Sequence, residues 1–173
     1  ARPRPSMDTF NGSLEDQNTL PRDINRRAII KVGDRGELPV AFQALIYPMI
    51  DDRQVTESSR WNDPVWPPQA NRYGWDSYLG ELRGDAVPCY AAAARATDLR
   101  GLPPTFISVG ALDGFADEDI DYATRLRHAG VPVELHVYAG APHGFDSLTP
   151  GTAIARRANR EIMAWLATAL AGP

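Results

Sequence analysis

The sequence predicts an α/β fold built on a parallel sheet, and three stretches carry that expectation. Val40-Ala-Phe-Gln-Ala-Leu-Ile-Tyr47 and Thr105-Phe-Ile-Ser-Val-Gly110 are apolar nearly throughout, as strands covered on both faces should be. Val133-Glu-Leu-His-Val-Tyr138 alternates instead, with Val133, Leu135 and Val137 on one face and Glu134, His136 and Tyr138 on the other. A strand with one polar face belongs at or near an edge. The expected sheet therefore runs 40–47, 105–110, 133–138, with the last strand outermost and helices flanking it. A helical segment from about Asp117 to Ala129, with Gly130 placed to stop it, links the last two strands. Such a strand–helix–strand unit makes a parallel pair, so the turns after both strands share the carboxyl edge. Open α/β sheets place their chemistry at that edge.

Taken in order, the chain begins unlike its remainder. Residues 1–30 mix turn formers and polar side chains with no sustained period, and are expected to be loop or poorly ordered apart from a short helical turn around Arg26 to Val32. The domain proper is expected over residues 31–173. Pro48 closes the first strand, where a missing N–H does least harm. An irregular connection from Asp51 to Gln69 follows, stiffened by Asp63-Pro64 and Trp66-Pro-Pro68. A short helix over Asn71 to Leu79 carries Trp75 and Tyr78. An alanine-rich turn follows around residues 91–94. The chain closes on an amphipathic helix from about Gly151 to Leu170, whose buried stripe is Ile154, Ala158, Ile162, Trp165, Leu166 and Ala169. Arg156, Arg157, Arg160 and Glu161 fall mainly on its other side.

Composition bounds the function. With 173 residues, 43% hydrophobic and 23% charged, the chain can bury a core of ordinary soluble type. A net charge of -4, with Lys31 as the single lysine and scattered arginines, argues against nucleic acid as partner. There is no apolar run of transmembrane length and no signal-peptide pattern. The single cysteine, Cys89, excludes an intramolecular disulfide framework and suits a cytoplasmic setting. No His/Cys/Asp/Glu group has metal-ligand spacing, so no metal or cofactor is expected.

The chemistry-bearing residues gather at the carboxyl edge. Asp113 lies in the turn after the second strand and His143, between Pro142 and Gly144, in the turn after the third. An Asp and a His delivered there together are two-thirds of a Ser-His-Asp triad. Read blandly, Asp113 caps the following helix, although Asp117 is the better placed cap because Glu118 follows it into the first turn. Trp75 and Tyr78 could line an acyl pocket or could simply be core. His128 suits a helix end and His136 a polar strand face. Asp51 and Asp52 are adjacent and should face opposite ways.

These residues resemble a known family. Leu45-Ile-Tyr-Pro-Met-Ile-Asp-Asp52, Leu102-Pro-Pro-Thr-Phe-Ile-Ser-Val-Gly-Ala-Leu-Asp113, Asp117-Glu118 and His143-Gly-Phe145 are similar, in order and spacing, to the C-terminal half of hormone-sensitive-lipase-type α/β-hydrolases of the bacterial carboxylesterase branch. The resemblance implies that the three strands are the last three of a larger, mostly parallel sheet. It implies that Asp113 and His143 are the acid and base of an ester-hydrolysing triad acting on a small-molecule ester. The family's nucleophile sits on a Gly-x-Ser-x-Gly elbow. In its place ahead of Asp34 stands Asp16-Gln-Asn-Thr-Leu-Pro21, no serine here has that glycine setting, and the upstream His-Gly-Gly motif is absent. The isolated chain is therefore expected to be inactive, and to associate with itself or with a missing N-terminal half. The alternatives are a non-catalytic folding or association module, and a distinct hydrolase using Ser13 or Ser77.

Overall fold

The computed structural model describes residues 40–171. The expectations for residues 1–30, including Ser13 and the helical turn near Arg26, lie outside the described residues. Three parallel strands form one sheet in the order β1 (Gln43–Ile46), β2 (Thr105–Gly110), β3 (Val133–Tyr138). The registers run from Gln43↔Thr105 to Ile46↔Ser108 and from Thr105↔Val133 to Gly110↔Tyr138. All six residues of β2 are buried, as its apolar run requires.

β1 is shorter than the expected 40–47, for reasons at both ends. The Gln43 N–H bonds the Pro104 carbonyl at 2.9 Å, and Pro103 and Pro104 have no N–H with which to carry a ladder further back. At the other end the Tyr47 N–H still reaches the Ser108 carbonyl at 2.6 Å, but its φ of 36° turns the chain off the sheet. Inside the strand the buried Gln43 amide donates to Thr105 Oγ1 at 2.7 Å, so the polar pair satisfies itself.

Helix α1 (Pro68–Leu79) starts three residues before the expected Asn71. Proline is well suited to the first helical position, so Trp66-Pro-Pro68 opens a helix as well as stiffening a loop. Helix α2 (Ala116–His128) ends as expected at Gly130, whose φ is 81°. There the Val131 N–H bonds the Leu126 carbonyl and the Gly130 N–H that of Arg127, which closes the last turn. Asp117 does not cap α2, contrary to expectation. Its carboxylate accepts the Ser58 N–H at 2.8 Å while its own N–H donates to Ser58 Oγ at 3.0 Å, clasping the 51–69 connection to the helix start.

Two layers cover the sheet. On one face Ile107 packs with Tyr122, Leu126 and Val131 beneath α2, with Leu135 against them. On the other lies the C-terminal helix α4 (Ala153–Ala171), after the single turn α3 (Phe145–Leu148). As expected, β3 is the outer strand among those described; on its polar face Glu134 is exposed while His136 and Tyr138 are covered by α4. Phe106 stacks against Trp165 at 5.5 Å and against His136 at 5.0 Å, and the Tyr138 hydroxyl donates to Glu161 Oε2 at 2.7 Å. Glu161 thus faces the sheet instead of joining the solvent side of α4, where Arg157 reaches back to it at 2.8 Å. Ala155, absent from the expected stripe, is fully buried. Among the described residues no helix is long and apolar enough to cross a membrane.

Phe106 is fully buried at the junction of β2, β3 and α4. Phe106→Ala should lower unfolding free energy by about 3–5 kcal/mol, read as a fall in the urea midpoint at unchanged slope.

Candidate active site

The two turns at the carboxyl edge are stitched together by main chain before any side chain meets. The Ala111 N–H bonds the Tyr138 carbonyl at 2.9 Å and the Leu112 N–H bonds the Ala141 carbonyl at 3.0 Å. Gly110 is what permits this approach: a Cβ there would overlap the Ala141 carbonyl and lie 2.9 Å from the Pro142 oxygen.

Within that frame Asp113 and His143 meet. Asp113 Oδ2 lies 2.9 Å from His143 Nδ1, the carboxylate is fully buried, and Oδ1 accepts the Phe115 N–H at 3.0 Å. Asp113 does not cap α2: one oxygen closes the turn ahead of the helix on Phe115 and the other meets the histidine. With a proton on Nδ1 directed at Asp113, Nε2 is left as the basic nitrogen.

Three rings enclose the imidazole. Tyr47 stands edge-on at 4.7 Å, Phe115 edge-on at 5.2 Å and Trp66 tilted at 5.6 Å. The main chain of His143 is held from a third element, since its N–H donates to Asp63 Oδ2 at 2.8 Å. Asp63 Oδ1 in turn accepts from the N–H groups of Val65 and Trp66 at 2.7 and 2.9 Å. Sequence reading missed all four of these neighbours. The Asp63-Pro64 turn was a signal for a stiff loop, but nothing local told that the loop folds back 80 residues onto the histidine.

A cavity of about 560 Å³ opens beside the site, lined by His143, Tyr47, Trp66, Phe115 and Tyr78 together with β1. Tyr78 faces it. Trp75 does not line it: its ring is buried with Leu79, Val87 and Ala92 under α1, 5.9 Å from that of Tyr78. Ser77 lies on the exposed side of α1. His128 is exposed at the end of α2, and His136 bridges Glu134 at 2.7 Å and Glu161 at 3.1 Å. Asp51 and Asp52 do turn to separate partners, Arg53 and Arg95. Among the described residues no group of three or more His, Cys, Asp or Glu could hold a metal ion.

Buried acid surrounds the pair. Glu118 Oε1 accepts the N–H groups of Ile50 and Asp51 at 2.8 and 3.1 Å, fixing the chain just after β1. Burial pushes its carboxyl from 4.5 up to about 8, against the lowering effect of those two N–H groups and helped by Asp51 and Asp113. Asp119 is fully buried with no hydrogen-bond partner on either oxygen among the described residues, and burial, with Glu118 and Asp113 nearby, pushes it well above its ordinary value.

A parallel sheet flanked by helices, with an Asp–His pair at its carboxyl edge, has the architecture of an α/β hydrolase. A family model described as alpha/beta hydrolase fold matches residues 24–147, and the chain belongs to that family, in its hormone-sensitive-lipase type. It is 33% identical to esterase LipI of Mycobacterium tuberculosis over 114 residues, which are 65% of this chain and 36% of that protein. Over 50 residues it is 48% identical to hormone-sensitive lipase of Bos taurus, covering 29% of this chain and 7% of the lipase. Its structure matches a bacterial heroin esterase with a TM-score of 0.75 and 42% identity, over 79% of this chain and 44% of that one. The chain thus spans less than half the length of each of these relatives.

The raised carboxyl of Glu118 sets a pH dependence. Between pH 4.5 and about 8 the folded chain keeps a proton that the unfolded chain has lost. The stability this contributes is fully present below that window and falls as pH rises through it, by about 1.4 kcal/mol per unit for one proton. Glu118→Gln keeps the acceptor for Ile50 and Asp51 and should flatten this fall, measured by urea unfolding at intervals across the window.

Proposed function

We propose that this chain supplies the general base and its orienting acid for serine-dependent hydrolysis of carboxylic esters. The observation that carries the reading is the 2.9 Å contact from His143 Nδ1 to a fully buried Asp113, beside a cavity of about 560 Å³. His143 Nε2 takes the proton of a serine hydroxyl as that oxygen attacks the ester carbonyl, and returns it to the departing alcohol. Asp113 holds the tautomer and stabilises the imidazolium. Tyr78, with β1 and Trp66, bounds the space for the acyl group of a small ester, while Trp75 supports Tyr78 from behind.

No serine among the 173 residues stands in a Gly-x-Ser-x-Gly setting. The nucleophile and the oxyanion donors of this reaction therefore come from sequence other than these residues. Among the described strands β1 is paired on one side only, by β2, and a parallel strand added along Gln43–Ile46 would end beside His143. The named partner of this reading is a segment carrying such an elbow.

The test is reconstitution. A hydrolase half carrying Gly-Asp-Ser-Ala-Gly, fused or as a separate chain, should confer turnover of p-nitrophenyl butyrate that His143→Ala abolishes. The 173 residues alone should show none, because base catalysis by itself contributes about 10²–10⁴-fold against enzymatic accelerations from about 10⁶ upward. Strong turnover by the unmodified chain that survives His143→Ala would overturn the assignment. Failure to gain activity with a correctly paired half would favour the non-catalytic association module. In the active assembly Gly110→Ala should cut the rate about 100-fold by displacing the Ala141–His143 turn.

A further inference from the structure

We propose that Asp63 is a positioning residue for His143: its buried carboxylate fixes the histidine's main chain, and so the register of the imidazole against Asp113. The proposal rests on the reading of His143 as the general base and adds to that site a second carboxylate acting through the backbone.

Asp63 is 3% exposed, yet no cation pairs with it among the described contacts. It spends both oxygens on main-chain N–H groups: Oδ2 on His143, Oδ1 on Val65 and Trp66. A carboxylate meeting three backbone donors is well satisfied without a counter-ion. Two of those donors belong to its own turn, which makes the carboxylate a rigid part of that turn. The third belongs to the catalytic turn, 80 residues away in sequence. The connection from 51 to 67 is itself anchored, since Ser58 is clasped to Asp117 and its hydroxyl donates to the Gly114 carbonyl at 3.0 Å.

The consequence is geometric. A histidine loop held only at Ala141 could pivot about that point. A second hold at the His143 N–H removes the pivot and leaves the side chain one direction in which Nδ1 meets Asp113. The same turn brings the Trp66 ring to 5.6 Å from the imidazole, so loss of the Asp63 contact frees both the main chain and one wall of the ring's enclosure. A loop residue that merely stabilised its own turn would need the Val65 and Trp66 contacts alone.

The test uses proton NMR on the chain itself and needs no nucleophile. Asp63→Asn, oriented with its oxygen toward Val65 and Trp66, keeps both turn contacts but presents an NH2 group that cannot accept from His143. In the folded variant the ring Nδ1–H of His143 should exchange with water roughly 10- to 100-fold faster, as loss of one hydrogen bond to a charged group implies. An unchanged Nδ1–H exchange rate in folded Asp63→Asn would overturn the proposal. Asp113→Asn separates this from the underlying site: if that change leaves the Nδ1–H signal as it was, the Asp113–His143 pairing is wrong, whatever Asp63 does. Should Asp63→Asn not fold, wild-type exchange decides. The His143 amide and ring Nδ1–H should then open together as urea is added, whereas a ring proton that stays protected while the amide exchanges freely would refute the coupling.

Discussion

Because β2 and β3 run parallel and in register to Gly110↔Tyr138, their ends emerge side by side, and the side chains that follow need only short turns to meet. Asp113 stands three residues beyond Gly110 and His143 five beyond Tyr138. The price of such proximity is backbone crowding, and Gly110 absorbs it where a side chain would collide with the Ala141 carbonyl. The ladder is in turn secure because β2 is buried along its whole length, between α2 and α4. A packing constraint in the centre of the sheet thus becomes a 2.9 Å constraint at its edge.

The carboxylates around the pair show how environment divides one chemical group into different roles. Asp113 has its histidine and the Phe115 N–H. Asp63 has three N–H groups, one of them from His143. Glu118 has two N–H groups on one oxygen and none on the other, and burial raises its carboxyl to about 8. Asp119 has no partner among the described residues and is shifted upward by burial first. Three acids, Asp117, Glu118 and Asp119, fill the first turn of α2, where unpaired N–H groups favour negative charge. Asp117 uses that position to clasp Ser58 and Glu118 to hold Ile50 and Asp51, two distant segments.

Periodicity and turn chemistry made the strands, α2 and its Gly130 terminator legible in the sequence, because those are local decisions. The meeting of Asp113 and His143 was legible too, since parallel topology follows from the short helical crossover. What could not be read were contacts closed by long loops. Asp63, Tyr47, Trp66 and Phe115 reach His143 from three different segments, and no spacing rule links them to it. The helix starting at Pro68 was delayed in the reading because Trp66-Pro-Pro68 also suits an extended loop, and only position at the first turn reconciles the two. The polar face of β3 correctly marked an outer strand, but not what would cover it. Alternation reports that a strand has two different faces, but a polar face roofed by a helix whose own polar groups answer it reads the same way.

That roof bears on the site. Glu161 gathers the Tyr138 hydroxyl, His136 and Arg157, and the Arg157 guanidinium beside it holds its carboxyl below the usual range. The Arg157 guanidinium also lies 5.7 Å from the centre of the Tyr138 ring. Tyr138 is the last residue of β3, and its ring packs at 5.3 Å on Phe145, which follows His143 by two. The His143 turn is therefore bracketed between two residues that share one cluster with Ala155 and Ala158 of α4. Small alanines at those positions let the helix settle close enough for Glu161 to reach the strand. The C-terminal helix, which carries no residue of the site, thereby fixes the departure point of the loop that carries its histidine.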